Sequence, residues 1–216
     1  MRGPVFKVCA LSLLAILLGG AAYAAVTTDS ETISLTQTDW SQVISLEKFH
    51  GDIANLDKVV ITLVATGQSD IGYENRASKP ADIQLTWTAT VSMKKGGSTL
   101  LSVAPAYSNT VTPAAYDLLW DWSGTSGGNF TTSDTKSDSM TLTSGFSDYV
   151  GDGTFDLEIV AAAISQTIGT GNVASYYLTS ASATATVEYY TPEPASIASL
   201  AAGLLGIVGF GIRRRR

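Results

Sequence analysis

The sequence predicts an all-β fold: an antiparallel β-sandwich ectodomain flanked by an N-terminal signal peptide and a C-terminal transmembrane helix. Three observations lead there. Apolar and polar residues alternate over long stretches, glycine-rich turns separate those stretches, and an apolar segment lies near each end of the chain. The 216 residues are 45% hydrophobic but only 15% charged, with 20 Gly and a single Cys. That is charge-poor for a soluble domain, yet apolar enough to build a core.

The first element is the segment of residues 1–24. Arg2 and Lys7 precede an apolar run from Val8 to about Gly20, and Ala22-Tyr23-Ala24 follows. A short basic stretch, an apolar run of about a dozen residues and a small-x-small end make a secretory signal peptide. Signal peptidase is expected to cut between Ala24 and Ala25, reading Ala22 and Ala24. The apolar run falls short of the roughly 20 residues that span a bilayer.

Residues 25–190 form one predicted domain. In Asp82 to Met93, the residues Ile83, Leu85, Trp87, Ala89, Val91 and Met93 share one face, and Thr or other polar residues share the opposite one. That pattern belongs to a strand buried on one side and wet on the other. Thr154 to Ile164 repeats it through Phe155, Leu157, Ile159, Ala161 and Ala163. Ser180 to Tyr190 repeats it through Ala181, Ala183, Ala185, Val187 and Tyr189. Leu56 to Ala65 is denser in Val and Ile, as a central strand should be. Turns are expected at Lys95–Ser98, Ser123–Gly128, Gly151–Gly153 and Gly169–Asn172, and a short helical turn near Gly145 to Val150. No internal repeat or linker divides the domain.

Charge narrows the partners. Between Ala25 and Thr191 there are seven Lys and Arg against eighteen Asp and Glu, a net of −11. Nucleic acid is not a fitting partner for such a body, because binding it requires a basic patch that displaces counterions. Six of the 13 basic residues lie at the chain ends.

Chemistry is sparse. His50 is the only histidine and reads as a solvated loop residue, so no His-pair metal site can form. No nucleophile elbow, phosphate loop or dinucleotide fingerprint is present, and the only cysteine, Cys9, falls in the signal peptide. No catalytic residue and no cofactor are expected. Asp148, Asp152 and Asp156 flank Gly151 and Gly153, and carboxylates in a glycine loop are a ligand type that Ca²⁺ takes. Asp and Gly are equally turn formers, and the turn reading is preferred. Trp120-Asp121-Trp122, with Tyr116 nearby and Tyr176 and Tyr177 further on, is the candidate carbohydrate contact. Exposed rings stack on sugars while a carboxylate bonds hydroxyls. Alternation puts both tryptophans on one face, so packing into the core is the favoured expectation for them.

The last element is residues 191–216. Pro192-Glu193-Pro194 precedes an uncharged apolar stretch from Ala195 to Ile212, and Arg213, Arg214, Arg215 and Arg216 close it. Eighteen residues at ~1.5 Å each cover about 27 Å, close to the ~30 Å hydrocarbon thickness. The arginines would stop transfer and stay on the cytoplasmic side. Motif, helix and Arg cluster in this order resemble the PEP-CTERM sorting signal. The resemblance implies processing by exosortase, an integral-membrane protease and transpeptidase of bacteria that make exopolysaccharide.

A second resemblance runs from Thr32 to Tyr190. Phe49, Asn55-Leu56, Val59, Ile71-Gly72-Tyr73-Glu74-Asn75, Asp121 to Gly127, Tyr149 to Thr154 and Gly169-x-Gly171-Asn172 are similar to the choice-of-anchor E domains. Those are extracellular domains joined to different C-terminal anchors, and the family implies no activity. The expectation is therefore an exported, non-enzymatic protein. It is first anchored in the inner membrane through the C-terminal helix, then displayed on the envelope or released, in association with exopolysaccharide. A carbohydrate-binding module using Trp120, Asp121 and Trp122 is the alternative.

Overall fold

The computed structural model describes residues 26–191. The expected signal peptide, the Pro192-Glu193-Pro194 motif and the Arg213–Arg216 cluster lie outside the described residues. Nine strands form: β1 (Val26–Gln37), β2 (Trp40–Glu47), β3 (Lys58–Asn75), β4 (Ile83–Lys95), β5 (Ser98–Val103), β6 (Ala106–Val111), β7 (Gly127–Leu142), β8 (Thr154–Gly169) and β9 (Val173–Tyr190). They make two antiparallel sheets. One is four-stranded in the order β1-β9-β3-β7; the other is five-stranded in the order β2-β8-β4-β5, with β6 also on β4. Among the described residues no helix is long and apolar enough to cross a membrane.

The alternation expected from the sequence sets the core. Ile83, Leu85, Trp87, Ala89, Val91 and Met93 of β4 face Val59, Ile61, Leu63 and Ala65 of β3 and Ala181, Ala183, Ala185 and Val187 of β9, all buried. Phe155, Leu157, Ile159 and Ala161 complete the layer from β8; Ala163, the last of that series, is only half-buried. The Trp87 indole N–H donates to Thr132 Oγ1 at 2.8 Å, so this polar atom enters the core with a partner. Trp87 also explains Gly67: a Cβ there would sit 2.8 Å from the indole, so β3 continues past Ala65 only because position 67 has no side chain.

The Val/Ile run of residues 56–65 is the first half of β3, a central strand flanked by β9 and β7. Gly96 and Gly97, at φ +56° and +83°, close the β4–β5 hairpin at the expected turn. Phe146–Tyr149 forms the expected short turn, as a 3₁₀ helix. Gly127 and Gly128 depart from the turn assignment and begin β7. Side chains there would collide with Glu74 and with the Tyr73 ring.

The long strands give the sandwich two distinct ends. Val26 pairs with Tyr190, so both described chain ends lie at one of them, here the terminal end. The loops 76–82, 112–126 and 170–172 gather at the other, the far end. β9 runs from one to the other, a span of roughly 55 Å at ~3.3 Å per residue.

Candidate functional site

The far end is built on two buried polar side chains. Glu74 projects from the outer face of the four-stranded sheet, where the 112–126 loop folds over it and buries it completely. It accepts hydrogen bonds from Ser126 Oγ at 2.5 Å and from the Trp122 backbone N–H at 3.2 Å. Asn75, equally buried, donates to the carbonyls of Lys79 and Ala114 and accepts from the Ala77 N–H. Backbone bonds from Asn75 to Ser126, Arg76 to Asn172 and Tyr116 to Ala77 tie the three loops together. The segments Ile71–Asn75, Asp121–Gly127 and Gly169–Asn172 therefore meet in one place.

On that base stands an aromatic platform. Trp122, at φ +57°, lies edge-on to Tyr176 with ring centroids 5.1 Å apart, and edge-on to Trp120 at 6.0 Å. The Arg76 guanidinium sits over the Trp120 ring, 4.4 Å from its centroid. Trp120 is nonetheless 56% exposed, so its outward area belongs to the side away from Arg76. Leu118 and Leu119 precede it at 82% and 61% exposure. Asp117 and Asp121 each accept the N–H two residues ahead, at 2.9 and 3.0 Å, which folds the tip into successive tight turns. Asp121 is exposed beside the rings.

This corrects the expectation that Trp120 and Trp122 pack into the core. The segment is a loop with left-handed backbone at Leu118 and Trp122, so strand alternation does not apply to it. Tyr176 joins the platform, as Gly72 opposite it leaves room for its ring. Tyr177 turns the other way, between the sheets, where its hydroxyl donates to the Gln166 carbonyl at 2.9 Å.

The three aspartates of the 148–156 turn, for which calcium is the less favoured reading, do not converge. Asp148 pairs with Lys95, whose ammonium holds this carboxyl below the usual carboxylate range. Asp152 points into solvent, 3.5 Å from His50. Asp156 sits on β8 and accepts from Ser45 Oγ at 2.7 Å. Among the described residues no group of three or more His, Cys, Asp or Glu is arranged to hold a metal ion. His50 is an exposed loop residue near Glu47 and Asp152, as expected. A cleft of about 400 Å³ beside it is lined by Asp29, Glu47, Phe49 and Tyr189, among others.

No family model and no curated protein matches the chain. Among solved structures it is similar to the T13 IBDV viral particle (12% identity, 85% of this chain, 46% of that chain, TM-score 0.20). It is also similar to the VP2 subviral particle of infectious bursal disease virus (14% identity, 77% of this chain, 37% of that chain, TM-score 0.21). The chain spans less than half the length of either, and at these scores the likeness says nothing of function.

Proposed function

We propose that the chain is an exported, non-enzymatic display domain, sorted by an exosortase-type protease, whose Trp120 platform contacts exopolysaccharide. Export and sorting rest on the two terminal sequence signals. The contact rests on one observation: an exposed indole held in a fixed frame by Arg76, Trp122 and, behind them, Glu74. A sugar ring presents a C–H face that stacks on such a surface, and the Asp121 carboxylate beside it accepts from hydroxyls. Placement supports the same reading. The platform lies at the far end, so anchoring through residues 195–212 would turn it away from the anchoring membrane and toward the matrix.

Affinity electrophoresis of the 25–191 domain through gels containing polysaccharide tests the contact. Trp120→Ala is expected to weaken retardation about tenfold, the factor that ~1.4 kcal/mol of lost ring contact produces. Retardation undiminished by both Trp120→Ala and Trp122→Ala would remove the site. Sorting is tested separately in strains with and without exosortase. An intact Arg213–Arg216 tail in both would end that part of the reading.

A further inference from the structure

The two edges of β8 are covered unequally. β4 pairs with it from Glu158 to Gly169, whereas β2 covers only Thr154 to Ala161 on the opposite edge. Residues 162–169 have no described strand on the β2 side. Across the same sheet, β4 is covered along its outer edge by two short strands laid end to end, β6 on Ile83–Thr88 and β5 on Val91–Lys95. Among the described residues the five-stranded sheet therefore lacks one short strand where β2 stops.

The bare edge has features that ordinary edges avoid. Ile164 and Ile168 stand on its outer face, 77% and 52% exposed. No Asp, Glu, Lys, Arg, His or Pro occurs from Ile159 to Val187. By contrast, edge strand β1 carries Asp29 and Glu31, and β7 carries Asp134, Lys136 and Asp138. Charges on edges discourage strand pairing; Asp39 bonds the Ala163 N–H where β2 stops, and beyond it residues 164–169 carry no charge and two large exposed apolar side chains, which invites pairing.

We propose that this edge pairs with the same edge of a second copy, β8 to β8 and antiparallel, joining two five-stranded sheets about a two-fold axis at Gln166. The register follows from the hydrogen-bonding groups. Asp39 Oδ1 accepts the Ala163 N–H on the bare side, while the Gln166 carbonyl accepts from Thr86 of β4 on the covered side. Odd-numbered residues thus direct their backbone groups outward. With Gln166 on the axis, Ser165 exchanges backbone bonds with the partner's Thr167, and symmetry repeats the exchange; Ala163, whose N–H Asp39 holds, stays outside the ladder, which runs from Ile164 to Ile168. On the outer face, Ile164 meets the partner's Ile168 twice, flanking a Gln–Gln pair. A two-fold axis at Ser165 would instead place the partner's Gly169 opposite Ala161, where Trp40 already pairs. The interface is isologous and closes on itself, so it ends at two copies and does not propagate.

Gln166 and its symmetry mate form a non-hydrogen-bonded pair with Cα atoms ~4.5 Å apart, within disulfide reach. The test uses the full chain with Cys9→Ser, which removes the only native cysteine. Gln166→Cys in that background should give a disulfide-linked dimer on mild oxidation; Ser133→Cys, on the outer face of the other sheet, should not. Adding Ile164→Lys should lower the cross-linked fraction by about tenfold, because a lysine in the seam loses solvent without gaining a partner. Two results would overturn the proposal: a Gln166→Cys dimer no more abundant than the Ser133→Cys dimer, or cross-linking undiminished by both Ile164→Lys and Thr167→Pro.

Discussion

At the terminal end the loops close over aromatic rings, Tyr149 edge-on to Phe155 at 5.0 Å and Phe49 tilted on Tyr189 at 5.7 Å. At the far end they close over a carboxylate and an amide, Glu74 and Asn75. Charges are sorted the opposite way. The terminal end keeps its acidic and basic side chains outside the rings, as in Lys95–Asp148 and His50 near Glu47, whereas the far end buries a carboxyl beneath its loop. Apolar burial is strong but has no direction. Hydrogen bonds to a buried carboxylate are directional, and each lost partner leaves an unsatisfied group. The first arrangement stabilises its end without fixing how any one loop sits. The second specifies how one loop sits, which matters for an end that presents Trp120.

The largest expected effect tests that contrast directly. Phe155→Ala at the terminal end removes a buried ring and should cost ~3–5 kcal/mol in urea unfolding. Glu74→Ala strands the Ser126 hydroxyl and the Trp122 N–H and should cost less, about 1–3 kcal/mol. It should also alter the tryptophan fluorescence of the native state, which Phe155→Ala leaves alone. A Glu74→Ala cost above that of Phe155→Ala would reverse the comparison.

The difference between the ends also governs what the sequence reveals. The strands were legible because one period explains Ile83 to Met93, Phe155 to Ala161 and Ala181 to Tyr189 alike. The same rule misplaced Trp120 and Trp122, since two residues at spacing two look alternating whether or not a strand exists. A local signal was present in Asp117 and Asp121, whose side chains bond the N–H two residues on and favour turns. Glu74 carried no such signal. Its burial depends on Trp122 and Ser126, 48 and 52 residues later in the chain, and Ile71–Asn75 stands out only through the family resemblance, which implies no role for Glu74.

A smaller effect is expected in alkali. Burial pushes the phenols of Tyr149 and Tyr189 up, and for Tyr189 the carboxylates of Asp29 and Glu47 add to it. A raised value means that the native state favours the neutral phenol. Its contribution to stability is therefore complete below the ordinary value near 10 and is lost as pH rises through the higher native one. Tyr189→Phe loses the bond to the Glu47 carbonyl, about 1 kcal/mol at neutral pH, but removes one of the groups that titrate. Its urea midpoint should therefore fall less steeply than that of the parent between about pH 7 and about pH 11. A parallel decline would place the alkaline sensitivity elsewhere, with Tyr73, Tyr177 and Tyr190 as the other phenols that desolvation raises.

The smallest effect on stability should be the most telling for the platform. A Cβ at Gly72 would meet the Tyr176 ring, so Gly72→Ala must turn that ring aside. The obstruction is the end of a movable side chain, and alanine suits a strand better than glycine. The two effects should nearly cancel, leaving a net change within about 1 kcal/mol. The consequence lies at Trp122, which loses its edge-on neighbour and with it one side of its support. Native tryptophan emission should shift while the unfolding midpoint stays close to that of the parent. Polysaccharide retardation should fall in the same direction as for Trp120→Ala. If emission and retardation both remain at parental values, Tyr176 is a bystander, and the frame around Trp120 reduces to Arg76, Trp122 and the buried carboxylate of Glu74.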